Sequence, residues 1–179
     1  MNISVRTMKK SDIVLIVDYF INADTEFLKG MGAEKSKLPT RTVWIKKLNQ
    51  EFDKHIEDKE FYYIIWQINS MPIGHSNINK IDYGNTATMH LHLWKDQKRK
   101  KGLGLDFLNQ TIPIYFTKFK LKKIICEPYA LNLAPNKILK KVGFQFVRNY
   151  ETVPGEINFY QAVNRYELTI AQFKQRSRY

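Results

Sequence analysis

A chain of 179 residues with 44% hydrophobic and 13% aromatic content can bury one substantial core and is too short for two comfortable domains, so residues 1–179 read as a single domain. No apolar run reaches the roughly 20 residues of a membrane span, Lys9, Lys10, Ser11 and Asp12 interrupt any signal-peptide core, and the single cysteine, Cys126, can form no internal disulfide; a cytoplasmic protein with no membrane partner is expected. The formal charge of +12 invites a nucleic-acid reading, but the basic residues are scattered over Lys46-Lys47, Lys98 to Lys101, Lys122-Lys123 and Lys140-Lys141, with no aromatic platform beside them, so nucleic acid is not expected as a partner.

Ile3 to Thr7 alternates and opens the chain as a strand. Ser11 offers a helix cap, and Ile13, Ile16, Val17 and Phe20 recur at helical spacing to about Ala23. From Asp24 to Pro39 the pattern dissolves into an apolar but irregular loop that should lie against something. Thr40 caps a second helix whose stripe is Val43, Trp44, Leu48 and Phe52. Phe61 to Ile68 and Ile73 to Ile81 form a hairpin with Met71-Pro72 in its turn, and Thr86 to Trp94 is the next strand. Leu105, Leu108, Ile112, Tyr115 or Phe116, and Phe119 mark a long helix that Pro113 should bend or break. Leu121 to Glu127 is a strand, Pro135 sits at a helix start, Gly143 ends that helix, and Phe144 to Thr152 with Asn158 to Leu168 make a last hairpin around Pro154-Gly155.

Two motifs carry chemistry. Arg99-Lys100-Lys101-Gly102-Leu103-Gly104 lies between a strand and a helix start, where unpaired amides and the helix dipole favour an anion. Side chains at Gly102 or Gly104 would hold a pyrophosphate away from those amides. Further on comes Asn132-Leu133-Ala134-Pro135-Asn136-Lys137-Ile138-Leu139-Lys140-Lys141-Val142-Gly143-Phe144. Together, in this order, they resemble the two acyl-CoA signatures of the GNAT superfamily of N-acetyltransferases, in the branch containing ribosomal-protein and small-molecule amine acetyltransferases. The resemblance implies an α/β (α+β) fold: one GNAT-like domain with a mixed, mostly antiparallel sheet of about six or seven strands, about four flanking helices and a central parallel strand pair that splays apart. It also implies acetyl-CoA as cofactor and direct transfer to a primary amine, from a peptide N-terminus or a small molecule, by a monomer or homodimer. Backbone groups of Leu93 and Trp94 would pair with the pantetheine arm, and amides from Arg99 through Lys100, Lys101, Gly102 and Leu103 to Gly104 would hold the pyrophosphate. Asn132 would bind pantetheine, with Asn136 and Lys137 reaching the same ligand. The acceptor would lie by Asp24 to Pro39 and Thr152 to Asn158.

The candidate bases are His90 and His92, two apart on one strand and so on one face, with an unperturbed pKa of about 6.5 suited to taking an ammonium proton. Glu127, closing the next strand, is the competing carboxylate, either binding the amine or pairing with a lysine. A metal would need His75 and Glu127 as further ligands, and none is expected. Many family members carry a tyrosine where this chain has Leu139, which leaves Tyr129 and Tyr160 as donors to the departing thiolate. Leu139 and the high charge keep open a rival reading, an acyl-CoA-holding domain without turnover or a basic RNA-associated protein.

Overall fold

The structure, a computed structural model, describes residues 1–94 and 102–176. Seven strands form one sheet in the order β1-β2-β3-β4-β5-β7-β6. They are β1 (Ile3–Thr7), β2 (Phe61–Ile68), β3 (Met71–Asp82), β4 (Thr86–Leu93), β5 (Lys123–Cys126), β6 (Gln145–Thr152) and β7 (Gln161–Thr169). Every neighbouring pair is antiparallel except β4 and β5, whose parallel pairing needs the crossover through the long helix between them. The helices are α1 (Ile13–Ile21), α2 (Thr25–Gly30), α3 (Arg41–Asp53), α4 (Leu103–Lys118), α5 (Leu133–Val142) and α6 (Ile170–Arg176).

Alternation along β2 shows how the layers are built. Tyr62, Ile64, Trp66 and Ile68 pack with Phe107, Leu108, Ile112 and Tyr115 of α4 and with Leu139 and Val142 of α5. Tyr63 and Ile65, pointing the other way, pack with Ile13, Ile16, Val17 and Leu48 of α1 and α3. A strand buried on both faces carries no polar side, which is why its sequence reads as one dense apolar run. Trp66 stacks on Phe107 at 5.0 Å and donates its indole N–H to Thr111 Oγ1 at 3.0 Å, so the largest core side chain leaves no polar atom unpaired.

Several boundaries differ from the sequence reading, each for a local reason. Asp24 caps a helix inside the expected loop, its Oδ1 accepting from Phe27 N at 2.7 Å, and α2 follows. The β2–β3 turn is Asn69-Ser70, with φ of 49° and 65°, and Met71-Pro72 already belongs to β3. Pro113 does not break α4: the helix continues to Lys118, because Thr111, Ile112, Tyr115 and Phe116 stay packed around it and the exposed Asn109 lies one turn back, its carbonyl within reach of water. Helix α5 starts at Leu133, with Asn132 as N-cap, and ends at Gly143, whose φ of 99° is the left-handed cap expected of it.

Candidate active site

Strands β4 and β5 pair only from Thr86↔Lys123 to Thr88↔Ile125. Beyond that point each follows a different neighbour. β4 keeps its register with β3 as far as Leu93, whereas residues 128–130 follow β7, Asn164 N donating to Pro128 O at 3.1 Å and Ala130 N to Ala162 O at 2.9 Å. A gap therefore opens in the middle of the sheet. Tyr115 O–H donates to Ser76 Oγ at 3.1 Å and Ser76 Oγ to His90 O at 2.7 Å, which ties α4 through β3 to β4 beside the opening.

Trp94 N donates to Ile73 O at 2.9 Å, so even-numbered residues of β4 direct their main-chain groups to β3, and Met89, Leu91 and Leu93 direct theirs to the gap. This corrects the expected pairing of Trp94 with a ligand: its main-chain N–H belongs to β3, and its indole N–H donates to His75 Nδ1 at 2.8 Å. Leu93 stays on the gap edge.

On one face of the gap stand the N-termini of α4 and α5. Gly102, at φ of 74°, is the N-cap of α4, and a Cβ there would meet no atom of the described residues within 4 Å, so among these the first-turn amides of Leu103 and Gly104 are not blocked at that position. The Leu103 side chain itself is core. Gly104 has a different reason from the one the sequence suggests: a Cβ would lie 2.6 Å from Ile138 Cδ1, so its bareness lets α4 approach α5. Arg99, Lys100 and Lys101 lie outside the described residues. The half-buried Asn132 side chain makes no hydrogen bond among the described residues, and Lys137 is exposed one turn further on.

Asn136 is a correction. Its Nδ2 donates to Tyr129 O at 3.0 Å and Asn132 O at 2.7 Å, while its Oδ1 accepts from Asn164 Nδ2 at 2.8 Å and Tyr166 O–H at 3.1 Å. Both amide hydrogens and both lone pairs are engaged, leaving nothing for a ligand. It holds α5 and the chain after β5 onto β7.

The opposite face carries the titratable groups. Ile124 and Cys126 point to the α4 core, so Glu127 points away from it, toward the face that His90 and His92 share. His90, half-buried, has Nε2 3.1 Å from Asn79 Oδ1; with the carbonyl oxygen there, Nε2 carries the proton and Nδ1 is the acceptor. Burial, with the Lys80 charge adding to it and Glu127 opposing, pulls the His90 pKa down to about 4, so the ring is neutral at neutral pH. His92 is walled by aromatic rings: Phe20 at 5.1 Å, Tyr19 at 5.6 Å and His75 stacked at 4.8 Å. His75 is fully buried, its Nε2 without a hydrogen-bond partner among the described residues, and burial holds its pKa well below the usual value. Among the described residues no group of three or more His, Cys, Asp or Glu is placed to hold a metal. Glu127, for which an amine or a lysine were the two expected partners, pairs within the chain with an arginine: Oε1 accepts from Arg165 Nη1 at 2.8 Å and from the Tyr150 hydroxyl. Sequence reasoning missed both partners, because pairing across β5, β7 and β6 leaves no mark in any one segment.

The two expected acceptor-side segments do meet. Glu34 N donates to Ile157 O at 2.8 Å, and Gly32 O accepts from Asn158 Nδ2 at 2.8 Å and Gln161 Nε2 at 2.7 Å. A hollow of about 300 Å³ lined by Thr25, Lys29, Ala33, Glu34, Lys35 and Phe159 opens there. Leu139 is fully buried core; Tyr129 packs edge-on against Phe159, and Tyr160 is exposed, its hydroxyl 3.3 Å from Glu151.

A sheet whose central parallel pair parts after Thr88, with two helix N-termini on one face and a neutral histidine on the other, suits an enzyme that brings two substrates together. Residues 2–145 match the family described as acetyltransferase (GNAT) domain, and the chain belongs to that family: it is an N-acetyltransferase, with acetyl-CoA as the acyl donor. The fold is shared with the spermidine N-acetyltransferase of Vibrio cholerae in complex with CoA and spermine, at a TM-score of 0.75 and 18% identity over 96% of this chain and 98% of that one. RimL, the ribosomal L7/L12 alpha-N-protein acetyltransferase, in complex with CoA, gives 0.77 and 13% over 95% of each chain. The aminoglycoside acetyltransferase AAC(6')-Ib in complex with CoA gives 0.74 and 16% over 99% and 100%. No curated protein matches the sequence. No described helix is long and apolar enough to cross a membrane.

Proposed function

We propose that this protein transfers acetyl from acetyl-CoA to a primary amine, on a peptide N-terminus or a small molecule, by direct attack within a ternary complex in a cytoplasmic setting. The observation that carries the reading is the gap: β4 loses its β5 partner after Thr88 with His90 on the adjoining face. The residues present fit the donor. Main-chain groups of Met89, Leu91 and Leu93 line a slot for the pantetheine arm, the side chain of Asn132 offers it a hydrogen bond, and the amides of Leu103 and Gly104 next to Gly102 suit a pyrophosphate. Lys137, and Arg99, Lys100 and Lys101 just before Gly102 in the sequence, add positive charge.

Acetyl-CoA supplies the thioester acetyl group. His90 Nδ1 takes the proton of the acceptor ammonium, directly or through one water, while Asn79 fixes the tautomer that leaves Nδ1 free. Glu127, held by Arg165 and Tyr150, keeps a negative charge beside that face, favouring a cationic amine and the imidazolium formed on proton transfer. His92 supports the strand by packing. The neighbours' named acceptors, a polyamine, an aminoglycoside and a protein N-terminus, support an amine here.

The test combines two measurements. Acetyl-CoA should stabilise the protein by about 2.7 kcal/mol at a hundredfold excess over its dissociation constant. Across a panel of amines, thiol release should fall by about 10²–10⁴ in His90→Gln with acetyl-CoA affinity unchanged. Near-normal turnover in His90→Gln would remove the histidine, and no thermal shift in the parent protein would remove the donor site.

A further inference from the structure

A second hollow lies away from the gap, between the end of α3, the turn at Ile56–Asp58, the start of β2 and the last turn of α4. It encloses about 450 Å³, a volume typical of small-molecule sites. Its walls are largely apolar, with Met8, Leu48, Phe52, Ile56, Phe61 and Tyr62 contributing. Three lysines, Lys54, Lys59 and Lys118, and one carboxylate, Glu51, also line it.

The charges do not cancel. Buried Glu51 is fully matched, Oε1 accepting from the main-chain N–H groups of Glu60 and Phe61 and Oε2 pairing with Lys54 at 2.8 Å. Lys54 also pairs with Glu60 at 2.6 Å. Lys59 and Lys118 have no carboxylate within ion-pair distance among the described residues. Lys59 Nζ donates to the carbonyls of Glu51 and Phe52 at 2.8 and 3.1 Å, in the last turn of α3, which uses two of its three hydrogens. Partial burial, the largest influence on it, pulls its pKa below the usual lysine value, with the nearby charges of Glu51 and Asp53 opposing that shift. Lys118 Nζ lies 5.2 Å over the Tyr62 ring, itself a wall of the hollow.

We propose that this hollow binds a small amphiphilic carboxylate, its apolar chain against Phe52, Phe61 and Tyr62 and its carboxylate on Lys118 and Lys59. A neutral apolar molecule would use the apolar wall and leave both ammonium groups unengaged, and an organic ammonium would face a wall with three lysines to one carboxylate. Carboxylate and apolar chain together match both features of the lining.

Calorimetric titration of the full chain with octanoate, 1-octanol and octylammonium tests this. Octanoate should bind at one site with a dissociation constant of about 1 mM or tighter, at least about tenfold more tightly than either analogue, the worth of one charge-assisted hydrogen bond. Lys118→Met should weaken octanoate by about tenfold and Lys118→Arg should restore it, while Lys122→Met, outside the hollow, should change nothing. Lys118 lies on the exposed end of α4, so its variants should keep the parent's circular dichroism. Equal binding of octanoate and octanol, stronger binding of octylammonium, or an unchanged affinity in Lys118→Met would each overturn the proposal.

Discussion

Asn136→Leu separates a framework asparagine from a ligand-binding one. Leucine keeps the side chain's volume, so the loss is confined to four hydrogen bonds: two to main-chain carbonyls, one from Asn164 and one from the Tyr166 hydroxyl. At about 1 kcal/mol per bond the variant should lose about 4 kcal/mol. The cost is sharpest at Tyr166, a residue 2% exposed, whose hydroxyl loses its acceptor and has little access to water in exchange. For a chain of this length about 2–4 °C accompanies each kcal/mol, so the melting temperature should fall by about 8–16 °C. Thermal and urea unfolding followed by circular dichroism measure the loss, and acetyl-CoA titration at a temperature where both proteins are folded measures the site. Affinity should hold within about threefold, which is under about 0.7 kcal/mol. A variant that melts like the parent but loses tenfold or more in acetyl-CoA affinity would refute the reasoning and return Asn136 to the ligand.

Because His90 is neutral down to about pH 4, the acid limb of kcat/KM that belongs to it should appear near pH 4, and any limb nearer neutrality should persist in His90→Gln. A limb near pH 6.5 that vanishes in the variant would contradict the buried environment. His75 titrates well below 6.5 when folded and at about 6.5 when unfolded, so in the window below pH 6.5 the unfolded chain binds the extra proton and stability falls with pH. The urea midpoint should therefore drop between pH 7.5 and 5.5, and His75→Phe should flatten that slope; parallel slopes would exclude His75 as its source. Gly102→Ala should cost about 1–2 kcal/mol from left-handed backbone strain, since no atom of the described residues opposes its methyl. Gly104→Ala should destabilise through Ile138 Cδ1, and Ile138→Val, which removes that atom, should recover part of the loss; simple additivity in the double variant would show that the two do not touch.

The sequence was legible where one segment carries its own periodicity or punctuation. β2 announced itself by aromatic and β-branched density, the end of α5 by Gly143, and the opening of α4 by Gly102. The gap followed only through the family resemblance, because nothing in Ile125 or Thr88 says that pairing stops there; the cause lies in the bonds from Asn164 and Ala130 across β7. Asn136 reads as a ligand beside the motif asparagine, yet one helical turn places it against Tyr166 and Asn164, which come later in the chain. Of the two outcomes expected at Pro113 the break does not occur, because the proline's cost is a local property and the packing that holds α4 together is not. Helix α2 was readable in principle, from the capping carboxylate of Asp24.

An exposed sheet edge is ordinarily a hazard, since its unpaired amides recruit any extended chain that meets them. Here the edge from Met89 to Leu93 is recessed, with β3 on one side and the chain leaving β5 on the other. A strand belonging to another folded molecule would have to bring its whole sheet into the cleft, and the bodies would collide before the backbones met. A thin, flexible molecule with amides of its own can thread in end-on. The recess thus filters partners by cross-section, so that an edge at the centre of the sheet is not offered as a seed for aggregation.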